Sequence, residues 1–398
     1  MKQLEKQNGS VLFLQHDSIF ETYGGVQYYI DDFLTFLASL YGPKRLKVLL
    51  AQRTDNFKLQ DRPYSIEVIR ISQGILKKLQ NRFSLKFCSR ALHQIRTEKP
   101  SVIIASHLSL APMAALLSKL TKTPFLVIAY GFEVWGNFQP QDQWALKKAD
   151  GIISISYWTK TILEKQGFDS KKISIVHPSI SAEMINQPSV KKTADASTLR
   201  LLTISRLDSN EQYKGHDHVI EALKIIKDRK TPISLTYTIQ GSGNDLPRLQ
   251  RLVENCGLQD SVMFLPSVKS REALKEVYQS HDVFIMPSRF GFWNGRWKGE
   301  GFGIVYVEAA LFGMPAIAYS CGGVTDIIED KKNGILVEPD DVQALANAIV
   351  RLSEDKRRIV ELGARAREMA LQRFTPESIA LEMKSALSSY PFWNLEPA

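Results

Sequence analysis

The feature that most constrains this 398-residue chain is an alternation, run through twice, of short apolar stretches and longer amphipathic ones. In the first half the apolar runs fall at 11–14, 47–51, 66–71, 101–105, 125–129, 151–155 and 173–176. In the second they fall at 201–204, 233–240, 262–265, 284–286, 316–318 and 334–337. Continuous apolar runs this short suit strands buried on both faces of a parallel sheet. Helical patterns stand between them; Val26, Tyr29, Ile30, Phe33, Leu34 and Leu37 share one helix face. The alternation predicts an α/β chain built from doubly wound parallel sheets, and its length suits two domains. The expected division is a first domain over 1–185, a polar linker over 186–198 containing Pro188, and a second domain over 199–377. The tail from about 378 to 398 is expected to pack back on the first domain.

Composition narrows the function classes. The three cysteines, Cys88, Cys256 and Cys321, form no pair or Cys/His cluster, so neither a disulfide framework nor a zinc site is expected. The start, 1–9, is polar and lacks a signal-peptide core, and no apolar run has transmembrane length. A cytoplasmic setting is the expectation. The net charge of +9 lies wholly in residues 1–190, where 24 Lys and Arg face 15 Asp and Glu. Seven of those cations lie in 76–99 among apolar residues: Lys77, Lys78, Arg82, Lys86, Arg90, Arg96 and Lys99. Such a stretch suits the anionic inner face of a membrane, with Lys77, Lys78 and Arg82 as contacts. No nucleic-acid recognition motif accompanies the charge.

The chemistry centres on 300–309, Glu-Gly-Phe-Gly-Ile-Val-Tyr-Val-Glu-Ala. The apolar run ends near Gly313 and Pro315, as helices do. Gly301, Phe302, Gly303 and Ile304 are then expected to form the first turn of a short buried helix. Its unpaired N–H groups suit a phosphate or polarised hydroxyl. Glu300 and Glu308 frame that row of donors. Arg206 and Lys214 lie at the mouth of a strand-to-helix loop and make a cationic clamp suited to a diphosphate. In the first half, Gly24-Gly25 follows a strand, but no dinucleotide fingerprint is present. His107 and the loop holding Tyr130, Glu133 and Trp135 fall at strand ends, where such sheets bind ligands. His16 is read as a packed or solvated side chain.

Together these motifs resemble the retaining GT-B glycosyltransferases of group 1, family 4. The resemblance rests on Ser205-Arg206-Leu207 with Lys214-Gly215, Pro287-Ser288, and a Glu-x7-Glu signature met by Glu300 and Glu308. The Gly24-Gly25-Val26 loop and the segment 149–180 also match, so the likeness covers nearly the whole chain. It implies two Rossmann-like domains facing across a cleft, with the second holding the donor. It implies catalytic roles for Arg206, Lys214 and Glu300, the cations neutralising the leaving diphosphate and Glu300 holding the sugar hydroxyls. Glu308 would bind the ribose. Gly25, Gly301, Phe302, Gly303, Ile304 and Tyr130 would complete the donor site, and His107, Glu133 and Trp135 would lie on the acceptor side. No metal and no cofactor is implied beyond a GDP- or UDP-hexose co-substrate.

One position departs from the family pattern: Tyr130 stands where many relatives have His. Its phenol cannot carry a proton near neutral pH. The run Tyr130-Gly131-Phe132-Glu133-Val134 otherwise resembles phosphatidylinositol mannosyltransferase-like members, which points to a lipid-linked or polysaccharide acceptor. The aromatics of 290–299 are read as a long loop suited to stacking on sugar or acceptor. Two other functions fit the architecture: a non-catalytic nucleotide-sugar-binding paralogue, and a GT-B-type sugar-nucleotide epimerase.

Overall fold

A computed structural model describes residues 9–16, 24–52, 62–70, 84–136, 138–185, 198–268 and 270–396. They form two compact units, one running up to Ser179 and taking in the chain from Ile379 onward, the other spanning Ile180–Ser378.

The first unit carries seven parallel strands: β1 (Val11–His16), β2 (Leu46–Gln52), β3 (Ser65–Arg70), β4 (Val102–Ala105), β5 (Phe125–Ala129), β6 (Gly151–Ser154) and β7 (Ile173–Ile175). Their order is β3-β2-β1-β4-β5-β6-β7. Val11 pairs with Leu46 on one side and Val102 on the other. Phe13, Leu14, Val48, Ile103 and Val127 are fully buried, which is why these strands read as unbroken apolar runs. Helix Gly25–Tyr41 buries Tyr29, Ile30, Phe33, Leu34 and Leu37.

The second unit repeats the plan with β8 (Thr198–Ile204), β9 (Ser234–Gln240), β10 (Val262–Leu265), β11 (Val283–Ile285), β14 (Ala316–Tyr319) and β15 (Gly334–Val337). Their order is β10-β9-β8-β11-β14-β15, again all parallel. In both sheets the order reverses beside the first strand, between β1 and β4 and between β8 and β11. A crevice opens outside the carboxyl ends of the strands at such a reversal. In the first unit His16 and Ser106-His107 stand there, and in the second Ser205-Arg206 and Pro287-Ser288.

Two segments differ from the sequence reading, the domain boundary and the stretch 290–299. The chain divides at Ile180, ahead of the expected boundary at 185, and Ile180 N–H donates to Phe374 O at 2.9 Å within the second unit. The short helix Ala182–Ile185 therefore belongs to that unit; of the expected linker, 186–198, residues 186–197 lie outside the described residues and Thr198 begins β8. The tail is largely a helix, Pro376–Ser388. Its buried Ile379, Met383 and Leu387 follow a helical spacing, and Tyr390 Oη donates to Ile152 O at 2.9 Å. The stretch 290–299 is an antiparallel hairpin, β12 (Gly291–Trp293) and β13 (Arg296–Lys298). Its turn is Asn294-Gly295, both at positive φ (51° and 76°), the arrangement that suits the twist of a two-residue hairpin.

Candidate active site

A grouping of charged side chains lies at the carboxyl end of the second sheet. Arg206 follows β8, and its guanidinium pairs with the Glu211 carboxylate. Glu211 also pairs with Lys214, Oε2 to Nζ 3.1 Å. Lys214 is recessed, with its side chain 13% exposed, whereas Arg206 is 73% exposed. Burial pushes the Glu300 carboxyl above its usual range, Lys214 is the main influence pulling it back, and Glu211 repels it. Arg206, Glu211, Lys214 and Glu300 therefore act as one electrostatic cluster.

The local fold explains the presentation of Lys214. Gly215 turns the chain at φ 78°, and a Cβ there would lie 2.2 Å from Pro287 O. Only glycine meets both demands. The loop is held from its other side by the segment between Ser288 and Glu300. Arg289 N–H donates to Tyr213 O at 2.7 Å and its Nη2 to Gln212 O at 2.7 Å. Nη2 also pairs with Asp217 at 3.2 Å, and the guanidinium stands 5.8 Å from the Trp293 ring. At the far end of the hairpin, Lys298 Nζ donates to Asn210 O at 2.8 Å.

The helix Ile304–Leu311 begins at Gly303, whose φ is 94°. A side chain there would strike Tyr306. Glu300 is anchored through its carbonyl, which accepts from Gly323 N–H at 2.8 Å. Phe302 points into the core against Phe374, so this position can offer a ligand only its backbone. Glu308 lies on the second turn of the helix and accepts from Tyr278 Oη at 2.8 Å. Burial raises its carboxyl above the usual range, and the Tyr278 bond, then Arg271, oppose that.

In the first unit, Gly25 opens its helix with no atom within 4 Å of a built Cβ. His16 and His107 stand edge to face, 5.4 Å between ring centres, at the strand-order reversal. His107 Nδ1 accepts from Ser109 N–H at 3.1 Å, which places the neutral ring's proton on Nε2. Tyr130 is buried, stacks on His107 and donates its hydroxyl to Ser106 O at 2.6 Å. Burial holds its phenol well above the usual pKa, so it stays protonated. Glu133 turns inward and accepts from the N–H groups of Tyr130 and Gly131. Trp135 is 2% exposed and its indole donates to Thr159 at 3.2 Å. These last two side chains support the loop from within; Phe132, just ahead of Glu133, is the exposed one. Lys77, Lys78 and Arg82 lie outside the described residues. Among the described residues no group of three or more His, Cys, Asp or Glu is placed to hold a metal. None of their helices is long and apolar enough to cross a membrane.

Glu211, Tyr278, Arg289 and His16 were not picked out as site residues from the sequence. Glu211 had a local signal, three residues before Lys214. Tyr278 and Arg289 had none, since their partners lie 30 and 72 residues away.

Comparison with known proteins fits this geometry. The family model for Glycosyl transferases group 1 matches residues 189–369, and that for Glycosyltransferase Family 4 matches 23–183. WcaL of Escherichia coli (strain K12), named as a glycosyltransferase of colanic acid biosynthesis, is 28% identical over 65% of this chain and 61% of its own length. A Mycobacterium tuberculosis protein named GDP-mannose-dependent alpha-(1-6)-phosphatidylinositol monomannoside mannosyltransferase is 27% identical over 70% of this chain and 72% of its own. Among solved structures, Anabaena HepE with UDP and glucose superposes with a TM-score of 0.70 at 20% identity, covering 95% of this chain and 99% of that one. Sucrose-phosphate synthase from Thermosynechococcus elongatus gives 0.72 at 19%, covering 94% and 98%. With two parallel-sheet units and both family models matched in order, the chain belongs to the GT-B glycosyltransferases of family 4, group 1.

Proposed function

We propose that the protein is a retaining hexosyltransferase that needs no metal and moves a hexose from a nucleotide-diphosphate sugar to a hydroxyl of a lipid-linked or polysaccharide acceptor. The observation that carries this reading is the cluster of Arg206, Lys214 and Glu300 at the strand-order reversal of the second sheet. Two fixed cations suit a leaving group whose negative charge grows as it departs. In the proposed reaction the bond from the anomeric carbon to the phosphate oxygen breaks, and its electron pair leaves with the diphosphate. The acceptor oxygen bonds to the same face of the sugar, and its proton passes to the departing phosphate oxygen. Glu300 and the N–H groups at 301–304 would hold the sugar, Glu308 the ribose, and Gly25 would let the diphosphate approach.

The donor is a GDP- or UDP-hexose. GDP-mannose is the first to test, since the Mycobacterium tuberculosis relative and a Mycolicibacterium smegmatis one, 35% identical over 40% of this chain, carry GDP-mannose-dependent names. Tyr130, His107 and the Glu133–Trp135 loop would shape the acceptor side. The positive first half supports a peripheral place on an anionic cytoplasmic membrane face.

The test is calorimetry of the full chain with UDP and GDP, followed by turnover with the matching hexose donors and lipid-linked acceptors. Binding of one diphosphate, lost in Lys214→Ala, supports the donor site. An α-linked product from an α-linked donor supports retention. Binding without turnover on any acceptor would sink the enzyme reading in favour of a non-catalytic binder.

A further inference from the structure

The acidic member of the cluster invites a question: why place a carboxylate between the two cations that are to receive a diphosphate? Glu211 is 15% exposed and touches both Arg206 and Lys214. One explanation is structural, with Glu211 holding the loop in shape. The geometry argues against it. The loop backbone is gripped independently of this side chain, at Asn210 O by Lys298, at Gln212 O and Tyr213 O by Arg289, and at Gly215 by its contact with Pro287. The part left to the carboxylate is charge. It repels Glu300, a recessed carboxylate on the same side of the sheet.

We propose that Glu211 is a displaceable counter-ion of the donor site: it neutralises Arg206 and Lys214 when the site is empty, yields them to the incoming diphosphate, and competes to take them back when the product leaves. This rests on the donor-site reading given above. Two cations close together repel each other, and a resident carboxylate removes that cost from the empty site. The same carboxylate weakens diphosphate binding, because each charge-assisted bond to the ligand replaces one already made. A bare nucleoside diphosphate, held chiefly through its phosphates, is weakened more than the intact donor, whose sugar adds contacts elsewhere. Glu211 thereby favours product release.

The experiment compares the wild-type full chain with Glu211→Gln and Glu211→Ala, titrated with UDP, GDP and inorganic pyrophosphate. Both variants are expected to bind the cognate nucleoside diphosphate and pyrophosphate about tenfold more tightly, the size of one lost charge-assisted competitor. Product inhibition should strengthen in parallel, while the intact donor gains less. A loop-shaping role predicts the opposite sign, with weaker binding in both variants. Unchanged or weaker diphosphate binding in the variants, with wild type binding normally, overturns the counter-ion role alone. Failure of wild type to bind either nucleoside diphosphate overturns the donor-site reading and this inference with it. Two substitutions of different size keep a folding defect peculiar to one from deciding the result.

Discussion

Tyr278 donates its hydroxyl to Glu308 across 2.8 Å, and its ring lies flat against Phe312 at 5.3 Å. The tyrosine is fully buried, so the bond has no competition from water and fixes where the Glu308 carboxylate points.

Tyr278→Phe keeps the stacking and removes that bond. The net loss should be about 1 kcal/mol in stability. If Glu308 takes the ribose, the dissociation constant for the nucleoside diphosphate should rise about 3- to 10-fold, with little change in kcat at saturating donor. Calorimetry and donor-dependent kinetics check this; an unchanged affinity would remove Glu308 from the nucleotide site.

Arg289→Lys should be far from neutral. The lysine cannot reproduce a guanidinium that bonds Gln212 O and Asp217 together and faces Trp293. Expected effects are a loss of about 1–3 kcal/mol in denaturant stability and at least a tenfold fall in kcat/KM, because the loop presenting Lys214 loosens. Near-wild-type turnover would show that the loop keeps its shape without this grip.

Gly215→Ala combines a positive φ of 78° with a Cβ 2.2 Å from a carbonyl oxygen. A cost of about 2–4 kcal/mol is expected, measurable by urea unfolding, together with loss of donor binding. Ordinary stability would mean that the backbone at Pro287 moves to make room.

Acid sensitivity follows from His216, which is 3% exposed and hydrogen-bonded to Ser205 Oγ at 2.8 Å. Burial lowers its pKa from 6.5 to about 4. Between those values the unfolded chain binds a proton that the folded one does not, so stability falls as pH drops from 6.5 towards 4. The full span is about 3 kcal/mol. His218 and His281 are also lowered, chiefly by burial, and act in the same direction. Melting temperatures measured from pH 7 to pH 4.5 should decline, and less steeply in His216→Gln. An equal slope in the variant would assign the effect elsewhere.

Glu300 works in the other direction. Its carboxyl is raised by burial, so the folded state holds the proton more tightly than the unfolded one, and stability is lost as pH rises from 4.5 towards the folded value. Glu300→Gln should therefore melt about 2–4 °C higher at neutral pH while losing turnover, the usual conflict between a charged site and stability. A lower melting temperature would mean that the ion pairing around Glu300 outweighs its burial.

Much of this protein is determined by local chemistry and is therefore legible in its sequence. Buried parallel strands must be apolar throughout, and β5 lies where its run does; the half-buried edge strands β10 and β15 also keep the bounds of their runs. The Gly-rich entry to the helix Ile304–Leu311, and its end near Gly313, follow from backbone demands within a few residues. Asn294-Gly295 carries a hairpin signal of the same local kind. What only the tertiary structure decided is the direction and company of side chains. Tyr130, Glu133 and Trp135 sit in one loop, yet Trp135 and Glu133 turn inward to Thr159 and to the loop's own N–H groups. Arg289 and Lys298 secure the loop that presents Lys214, and Tyr278 orients Glu308, through contacts that cross from 30 to 88 residues of chain. Packing settles these contacts, because a side chain takes the rotamer its neighbours leave open, and those neighbours are brought together only when the sheets are complete.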